Sequence, residues 1–593
     1  MSVSRRDLIR IAGASAAAAA AFGSVGCEKP TGAPAFDREV DVIVVGGGAA
    51  GLCAALFARA AGVDVLLLEK APLVGGTTSK SGGVYWIPNH PIERAKGLKE
   101  PREATLRDMA RASYPLQFKE SDPTLGLGEH AYSLIAAYYD AGTVAVEGLE
   151  KLGALISMAA DGMVGPLPDY FERATDDKAV VDRRYWAKQP DGSFGLGAEM
   201  VRQLREGLEK AGVPILLQHR AVRLVASPSG AVVGVEAENL AASGAPVRLR
   251  ARRGVVFGSG GFTHSPELMR MHQPGPVFGG CAVPTNEGDF VHMAESAGAR
   301  FGLMGSAWRA QLVLEQALQA PSTPDDVFMP PGDSMILVNR FGQRVVNEKS
   351  NYNERTRVHF AWDPSRHEWT NLILFMVYDQ RSAELFGGRY PLPPAGLFAP
   401  HVMTGSTLDE LALAIGARLA KIADRTGGVA LDAGFNATLA ASIARFGDLA
   451  RTGEDPDFER GRHLYDRLWH SRIWSYANQG TPHAAAAPNV TMHPFAGQGP
   501  YHAIMLAAGT LDTNGGPVVD ANGQVLGHAG TPIPGLYGAG NCIASPTGTA
   551  YYGGGGTLGP ALAFGYLAGS AAARAPVNEI ASASARAGSR RRA

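Results

Sequence analysis

A complete strand–turn–helix–strand unit near the start of the chain narrows the possible folds more than any other feature. Val40-Asp41-Val42-Ile43-Val44-Val45 is an apolar run of the length expected for a strand in a buried parallel sheet. It leads directly into Gly46-Gly47-Gly48-Ala49-Ala50-Gly51, which satisfies G-x-G-x-x-G. Leu52 to Ala61 then reads as a helix, and Val63 to Leu68 as a second strand ending at Glu69. Together these make a βαβ unit that binds a dinucleotide, with the pyrophosphate over the helix N-terminus. Gly46 allows the tight turn, Gly48 the close approach of backbone to phosphate, and Gly51 the packing of helix on strand. Glu69 stands where the ribose hydroxyls are held, next to Lys70.

The following segment decides which dinucleotide. Ala71 to Gly83 is a second glycine- and hydroxyl-rich stretch, containing Gly76, Thr77, Thr78, Ser81, Gly82 and Gly83. A nicotinamide domain has no need of it; the extended FAD molecule, with a ribityl chain as well as phosphates, does. Gly254 to Phe262 is another buried strand meeting a glycine turn, at Gly260 and Gly261, and Gly535 to Asn541 is a third, with Gly540 and Asn541 at its end. Close behind comes Tyr551-Tyr552-Gly553-Gly554-Gly555-Gly556-Thr557-Leu558-Gly559-Pro560, with Pro560 placed to open a helix running to about Ala573. Such a helix points its positive end at whatever lies over the glycines. Segments spread from residue 46 to 560 indicate one cofactor domain built from both ends of the chain. The expected fold is α/β: a Rossmann-like FAD-binding domain over 37–305 and 506–575, with an inserted α+β cap over 306–505. A helical excursion over 104–160 is expected to pack over the cleft.

The 593 residues carry a formal net charge of -1, which offers no electrostatic footprint for nucleic acid. The four cysteines, Cys27, Cys53, Cys281 and Cys542, are too scattered for a zinc ribbon, an iron–sulfur cluster or c-type haem attachment, and no metal site is expected. Cys53 reads as a small core residue. At the N-terminus, Ser4-Arg5-Arg6-Asp7-Leu8-Ile9-Arg10 precedes an alanine-rich apolar run, the pattern of a twin-arginine-type export signal over 1–36. That pattern implies an exported, periplasmic or cell-envelope protein, and is compatible with peripheral membrane association. Cys27 only weakly echoes a lipoprotein cleavage site, because Ser24 is wrong for its usual aliphatic position. Residues 576–593, with arginines from Arg586 to Arg592, read as a disordered basic tail.

The set of motifs resembles the flavoprotein superfamily of fumarate reductase and 3-ketosteroid dehydrogenases over about residues 38–575. Within it, the chain is most similar to the 3-ketosteroid Δ1-dehydrogenases. Tyr551, Gly553, Gly555, Gly559 and Pro560 match that family's Tyr-x-Gly-x-Gly, three residues, Gly-Pro. Gly75 to Gly83 followed by Trp86-Ile87-Pro88-Asn89 is also similar; Tyr552 and Gly554 depart from it, where the family often carries Pro. The resemblance implies non-covalent FAD and removal of two hydrogens from a C–C bond beside a ketone, with a hydrophobic ketone as substrate. It assigns the Tyr551 phenol and the Gly555 N–H to the ketone oxygen. A tyrosine after an Asn-Glu dipeptide is the base, and Tyr352 stands at that spacing after Asn347-Glu348. An isolated tyrosine has a pKa near 10, so it needs help; a second tyrosine supplies it, with Asp169-Tyr170 as the candidate and Tyr138, Tyr139 and Tyr185 in competition. Asn347 and Glu348 are read as bracing the loop. His483, His493 and His502 are left out of the chemistry. The cofactor set adds Ala49, Ala50, Ala221, Asp289, Gly556, Leu558 and Gly559.

Two other functions compete. A reductase of unsaturated dicarboxylates, like fumarate reductase, needs arginines to clamp two carboxylates and an arginine proton donor. That subfamily has an Asn-Arg pair where this chain has Thr549 to Tyr552, and Arg355 and Arg357 read as surface charges. An exported flavin-binding electron carrier is the other, and the tyrosines at two sites argue against it. The electron acceptor is marked by no residue; export favours a quinone or a carrier over molecular oxygen.

Overall fold

Strand β1 (Arg38–Val45) ends where Gly46 takes a φ of +107°, turning the chain into helix α1 (Ala49–Ala60). A side chain at Gly51 would collide with the Gly46 carbonyl oxygen, so the approach of α1 to β1 requires glycine. The helix begins three residues before the apolar pattern suggests, because extended Gly48 forms its N-cap. Strand β2 (Val65–Leu68) lies parallel to β1 and completes the unit.

The computed structural model describes residues 36–159, 167–171, 182–323, 328–478 and 488–578. Within these, Arg38–Asn578 forms one unit. The signal with Cys27 and the tail from residue 579 lie outside the described residues.

The first sheet has eight strands. Ile215–Leu216, β2, β1, Val247–Phe257 and Pro532–Gly538 run parallel in that order, so the two ends of the chain meet in one sheet. Gln524–Leu526 adds an antiparallel edge, and the hairpin of His219–Ala226 and Val232–Asn239 extends from Val247–Phe257. The final helix, Leu558–Arg574, packs on α1 and on the long helix Gly128–Lys151. Cβ atoms at Gly565 and Gly569, one turn apart, would strike the Ala50 and Ala54 carbonyls, so this contact is backbone on backbone. This helix starts at Leu558, with Thr557 as N-cap; Pro560 therefore sits within the first turn rather than opening it.

The second sheet is antiparallel, in the order Ala307–Val313, Tyr501–Thr513, Ile373–Asp379, Met335–Val338, with Val402–Gly405 also on Tyr501–Thr513. Alternate residues serve two cores. Ile336, Phe375 and Val377 pack under Phe435 and Leu439, while Met335, Met376 and Tyr378 pack with Tyr465 and Ile473. Residues 506–513, grouped by the glycine pattern with the cofactor domain, are instead the second half of a strand of this sheet. That strand carries Asp512 out of the cap and into the cofactor cavity.

Candidate active site

A cleft lined by both sheets collects most of the cofactor residues read from the sequence. The turn after β1 brings Gly46, Gly48, Ala49 and Ala50; the end of β2 brings Glu69 and Lys70; the next loop brings Gly76, Thr77, Thr78, Ser81, Gly82 and Gly83. Ala221, Gly260, Asp289, Gly540, Asn541 and Leu558 complete the wall. Gly51, Gly261, Gly556 and Gly559 stand behind it. Gly51 seats α1, Gly261 donates its N–H to Asp512 (2.8 Å), and the Gly556 and Gly559 N–H groups bond the Gly553 and Gly555 carbonyls (both 2.9 Å).

Several of these groups are already engaged with the protein. The Glu69 carboxylate accepts the N–H groups of Gly47 (2.7 Å) and Ala71 (2.8 Å), and burial holds it above the usual range. Asp289 is taken by Lys70 (2.7 Å) and Arg220 (2.6 Å). Around Gly261 and Asn541, both read from the sequence, lies a network whose other members, Asp512, Asn286, Thr263 and Trp308, sequence reasoning missed. Asp512 accepts from Gly261, from Asn286 (2.7 Å) and from Thr263 (3.0 Å), while Trp308 donates to the Asn541 side chain (3.1 Å). A lone acid closing an apolar strand was the one signal available for it.

The cleft fits FAD. Two helix N-termini open onto it, those of α1 and of Leu558–Arg574, and neither has a capping side chain or an acid in its first turn. At α1 the Ala49 N–H is taken by the Thr78 hydroxyl (3.1 Å), and the positive ends of both helices still face the cleft, where an anionic ligand is favoured. A Cβ added at Gly48 would have no atom nearer than 3.6 Å, and one at Gly76 none within 4 Å, so the backbone there borders open space. Among the described residues, no group of three or more His, Cys, Asp or Glu could hold a metal ion.

One end of the cleft is aromatic. Tyr551, Tyr352 and Tyr170 form a triangle, with ring centroids 5.5 Å apart for Tyr352–Tyr551 and Tyr170–Tyr352, and 5.7 Å for Tyr170–Tyr551. Trp308 closes on Tyr551 at 5.3 Å. The three competing tyrosines are elsewhere: Tyr138 bonds the Trp86 carbonyl, Tyr139 the Glu100 carbonyl (2.8 Å), and Tyr185 stacks on His90 at 3.5 Å. Gly555 adjoins the triangle with a φ of +96°, and among the described residues its N–H meets no acceptor. A Cβ there would sit 2.6 Å from the Trp86 nitrogen.

Each tyrosine is fixed by its own element. Tyr352 opens the short helix Tyr352–Thr356, capped by the Asn351 side chain on the Glu354 N–H (3.0 Å). The loop before it is braced by Glu348, which is fully buried and bonded to Arg344 (2.8 Å), Arg460 (3.1 Å) and the Leu337 N–H (3.2 Å). Burial works against that carboxylate, but the two guanidiniums outweigh it and hold it at about 2. Asn347 donates to Asp466 (2.9 Å). Tyr170 donates its backbone N–H to the Tyr552 carbonyl (2.8 Å). The neighbouring Asp169 is pinned by Trp86 (2.7 Å) and Arg183, and burial pushes its carboxyl up to about 6 despite that arginine. Burial likewise raises the phenols of Tyr551, Tyr352 and Tyr170; for Tyr170 the phenols of Tyr352 and Tyr465 and the Arg184 charge oppose it.

The arginines differ from the sequence reading. Arg355 is no surface charge: it is fully buried behind the tyrosines. Arg357 is half exposed and spends its charge on Glu354 (3.2 Å) and the Thr549 carbonyl (3.0 Å). His493 and His502 bond groups of the cap, and His483 lies outside the described residues.

The family model for the FAD binding domain matches residues 41–558. The chain belongs to this FAD-binding family. It is 31% identical over 588 residues to the 3-oxosteroid 1-dehydrogenase of Mycobacterium tuberculosis, covering 90% of this chain and 98% of that protein. It is 30% identical over 567 residues to the 4-oxocyclohexanecarboxylate 2-dehydrogenase of Sinomonas cyclohexanicum, covering 89% and 92%. The solved 3-ketosteroid delta1-dehydrogenase of Sterolibacterium denitrificans superimposes with a TM-score of 0.74 at 25% identity, over 90% of this chain and 99% of that one. This member of the family is an FAD-dependent oxidoreductase related to the 3-ketosteroid Δ1-dehydrogenases.

Proposed function

We propose that this flavoprotein desaturates a C–C bond next to the ketone of a cyclic substrate, with a 3-ketosteroid dehydrogenated at its Δ1 position as the leading candidate. The observation that carries this reading is the meeting of Tyr551, Gly555 and Tyr352 at one end of the FAD cleft. Bound FAD supplies a two-electron hydride acceptor for the β hydrogen. The Tyr551 phenol and the Gly555 N–H donate to the ketone oxygen, stabilising the charge that builds there as the α proton leaves. The Tyr352 oxygen takes that proton. Tyr170 adjoins both phenols and supports the base by hydrogen bonding. Packed aromatic walls keep water from the developing enolate.

The dicarboxylate-reductase alternative lacks support at the same place. Thr549 to Tyr552 brings no arginine, and Arg357 is committed to a backbone carbonyl. A dicarboxylate would therefore lack its cationic partners. The paired arginines at the N-terminus support export of the folded protein, testable by cell fractionation.

The test is product analysis with an artificial electron acceptor, offering 4-androstene-3,17-dione and 4-oxocyclohexanecarboxylate separately. A 1,2-desaturated product from the steroid supports the reading. Absence of product from both ketones, with fumarate reduced by the dithionite-reduced protein, overturns it.

A further inference from the structure

The aromatic cluster extends beyond the three phenols given roles above. Tyr465, from the helix Leu464–Ala477, meets Tyr170 edge-on at 4.9 Å, and its hydroxyl lies 3.8 Å from the Met329 Sδ. Arg355 reaches the same sulfur at 3.6 Å. Its other contacts are all neutral: Gln311 Oε1 (2.7 Å), the Ser350 carbonyl (2.6 Å) and the Phe328 carbonyl (2.8 Å). Among the described residues, Arg355 forms no ion pair with a carboxylate. The buried acids nearest to it are engaged elsewhere, Glu348 with Arg344 and Arg460, and Asp466 with Asn347 and the Gly461 N–H (3.0 Å).

A buried cation without a counter-ion costs several kcal/mol, so its retention calls for an anion at some stage of the protein's working cycle. We propose that Arg355 is the counter-ion of the tyrosine cluster, stabilising the phenolate shared among Tyr352, Tyr170 and Tyr465 from which Tyr352 accepts the substrate's α proton. This rests on the reading of the site as a ketone dehydrogenase. Arg355 is thus a positioning residue that acts through the tyrosines and touches no substrate. Burial lowers the guanidinium to about 10, which still leaves it charged at neutral pH.

Other ionisable groups face the cluster. Tyr551 and Tyr170 face Tyr352; Cys281 faces Tyr551; Arg184 and Asp169 face Tyr170; Asp466 faces Tyr465. Arg184 is neutralised by Asp182, and Asp169 by Arg183. Lys349, on the Arg355 side, is bonded to the Pro330 (2.5 Å) and Gly332 (2.6 Å) carbonyls and is driven well below its usual range by burial. Arg184 still acts on Tyr170 from its pair with Asp182; among the described residues, the cation acting on the cluster with no carboxylate partner of its own is Arg355.

The experiment compares FAD-loaded wild type with Arg355→Met, Arg355→Lys and Tyr465→Phe. One readout is kcat/KM against pH with the ketone; the other is ultraviolet titration of tyrosinate, with Tyr352→Phe marking the cluster's contribution. Losing the cation raises the phenol pKa, so the rising limb moves to higher pH. A nearby opposite charge is worth about 1–3 pKa units, and Arg355 shares the Met329 sulfur with Tyr465 and acts on Tyr465 and Tyr170. Arg355→Met is expected to move the limb and the titration up by about one unit or more, a tenfold or greater rate loss at neutral pH. Arg355→Lys is expected to keep most of the wild-type position, and Tyr465→Phe to move it up by less. If neither readout moves in Arg355→Met, the proposal is overturned, whatever happens to the rate. Should Arg355→Met not retain FAD, an unmoved titration in Tyr465→Phe overturns the shared phenolate. If no ketone reduces the flavin, the functional reading fails, while the tyrosinate titration still tests Arg355.

Discussion

At the scale of single residues, the proposed chemistry falls to a few side chains with distinct parts. Tyr551→Phe removes one of the two donors proposed for the ketone oxygen and leaves the ring in place; turnover is expected to fall about 10²–10³-fold, as for other oxyanion donors, with the flavin spectrum unchanged. Tyr352→Phe removes the proposed base and is expected to abolish exchange of the substrate's α hydrogen with deuterated solvent, checked by mass spectrometry. Near-normal turnover in either variant would remove that tyrosine from the mechanism. The sequence pointed to these two through the family resemblance, whose motif places each at fixed spacing from a local marker, the glycine run or the Asn-Glu pair. Tyr170 was legible only through its Asp-Tyr dipeptide, and the structure separates it from Tyr138, Tyr139 and Tyr185. Tyr465 and Arg355 were not legible in these roles. What defines them is a shared contact with Met329, more than a hundred residues from Tyr465, and no local pattern encodes that.

At the scale of elements, two devices hold the site. The loop before Tyr352 hangs on Glu348, and breaking a buried ion pair costs about 3–5 kcal/mol. Glu348→Gln is therefore expected to lower stability by that order in chemical denaturation at pH 7. The sign with pH follows from a folded carboxyl held near 2 against about 4.3 when unfolded. Its contribution is complete above about 4.3 and is lost as pH falls towards 2, so the variant's stability should vary less than wild type's through that window. The second device is the tight turn at Gly555. Gly555→Ala combines a left-handed backbone with a contact on the Trp86 nitrogen, and is expected to displace the loop and lower turnover more than FAD content. The βαβ unit was the most legible element, since its strand, turn, helix and acid are consecutive. The strand Tyr501–Thr513 was less so: nothing in its apolar run announces that it pairs with Ala307–Val313 rather than continuing the cofactor sheet.

At the scale of the whole molecule, FAD ties the two ends of the chain together, because its cleft is lined by residues from Val45 to Ala561. Ligand that binds only the folded form stabilises by about 2.7 kcal/mol at a hundredfold excess over Kd, so apoprotein titrated with FAD should show a rising melting temperature. The central claim is that a cyclic ketone delivers electrons to that bound flavin. Its most direct test is anaerobic addition of 4-androstene-3,17-dione to the oxidised holoprotein, followed by flavin absorbance. Bleaching of the oxidised flavin bands, lost in Tyr352→Phe, is the predicted result. An oxidised spectrum unchanged by this and other 3-ketosteroids, together with reoxidation of the reduced protein by fumarate, would contradict it.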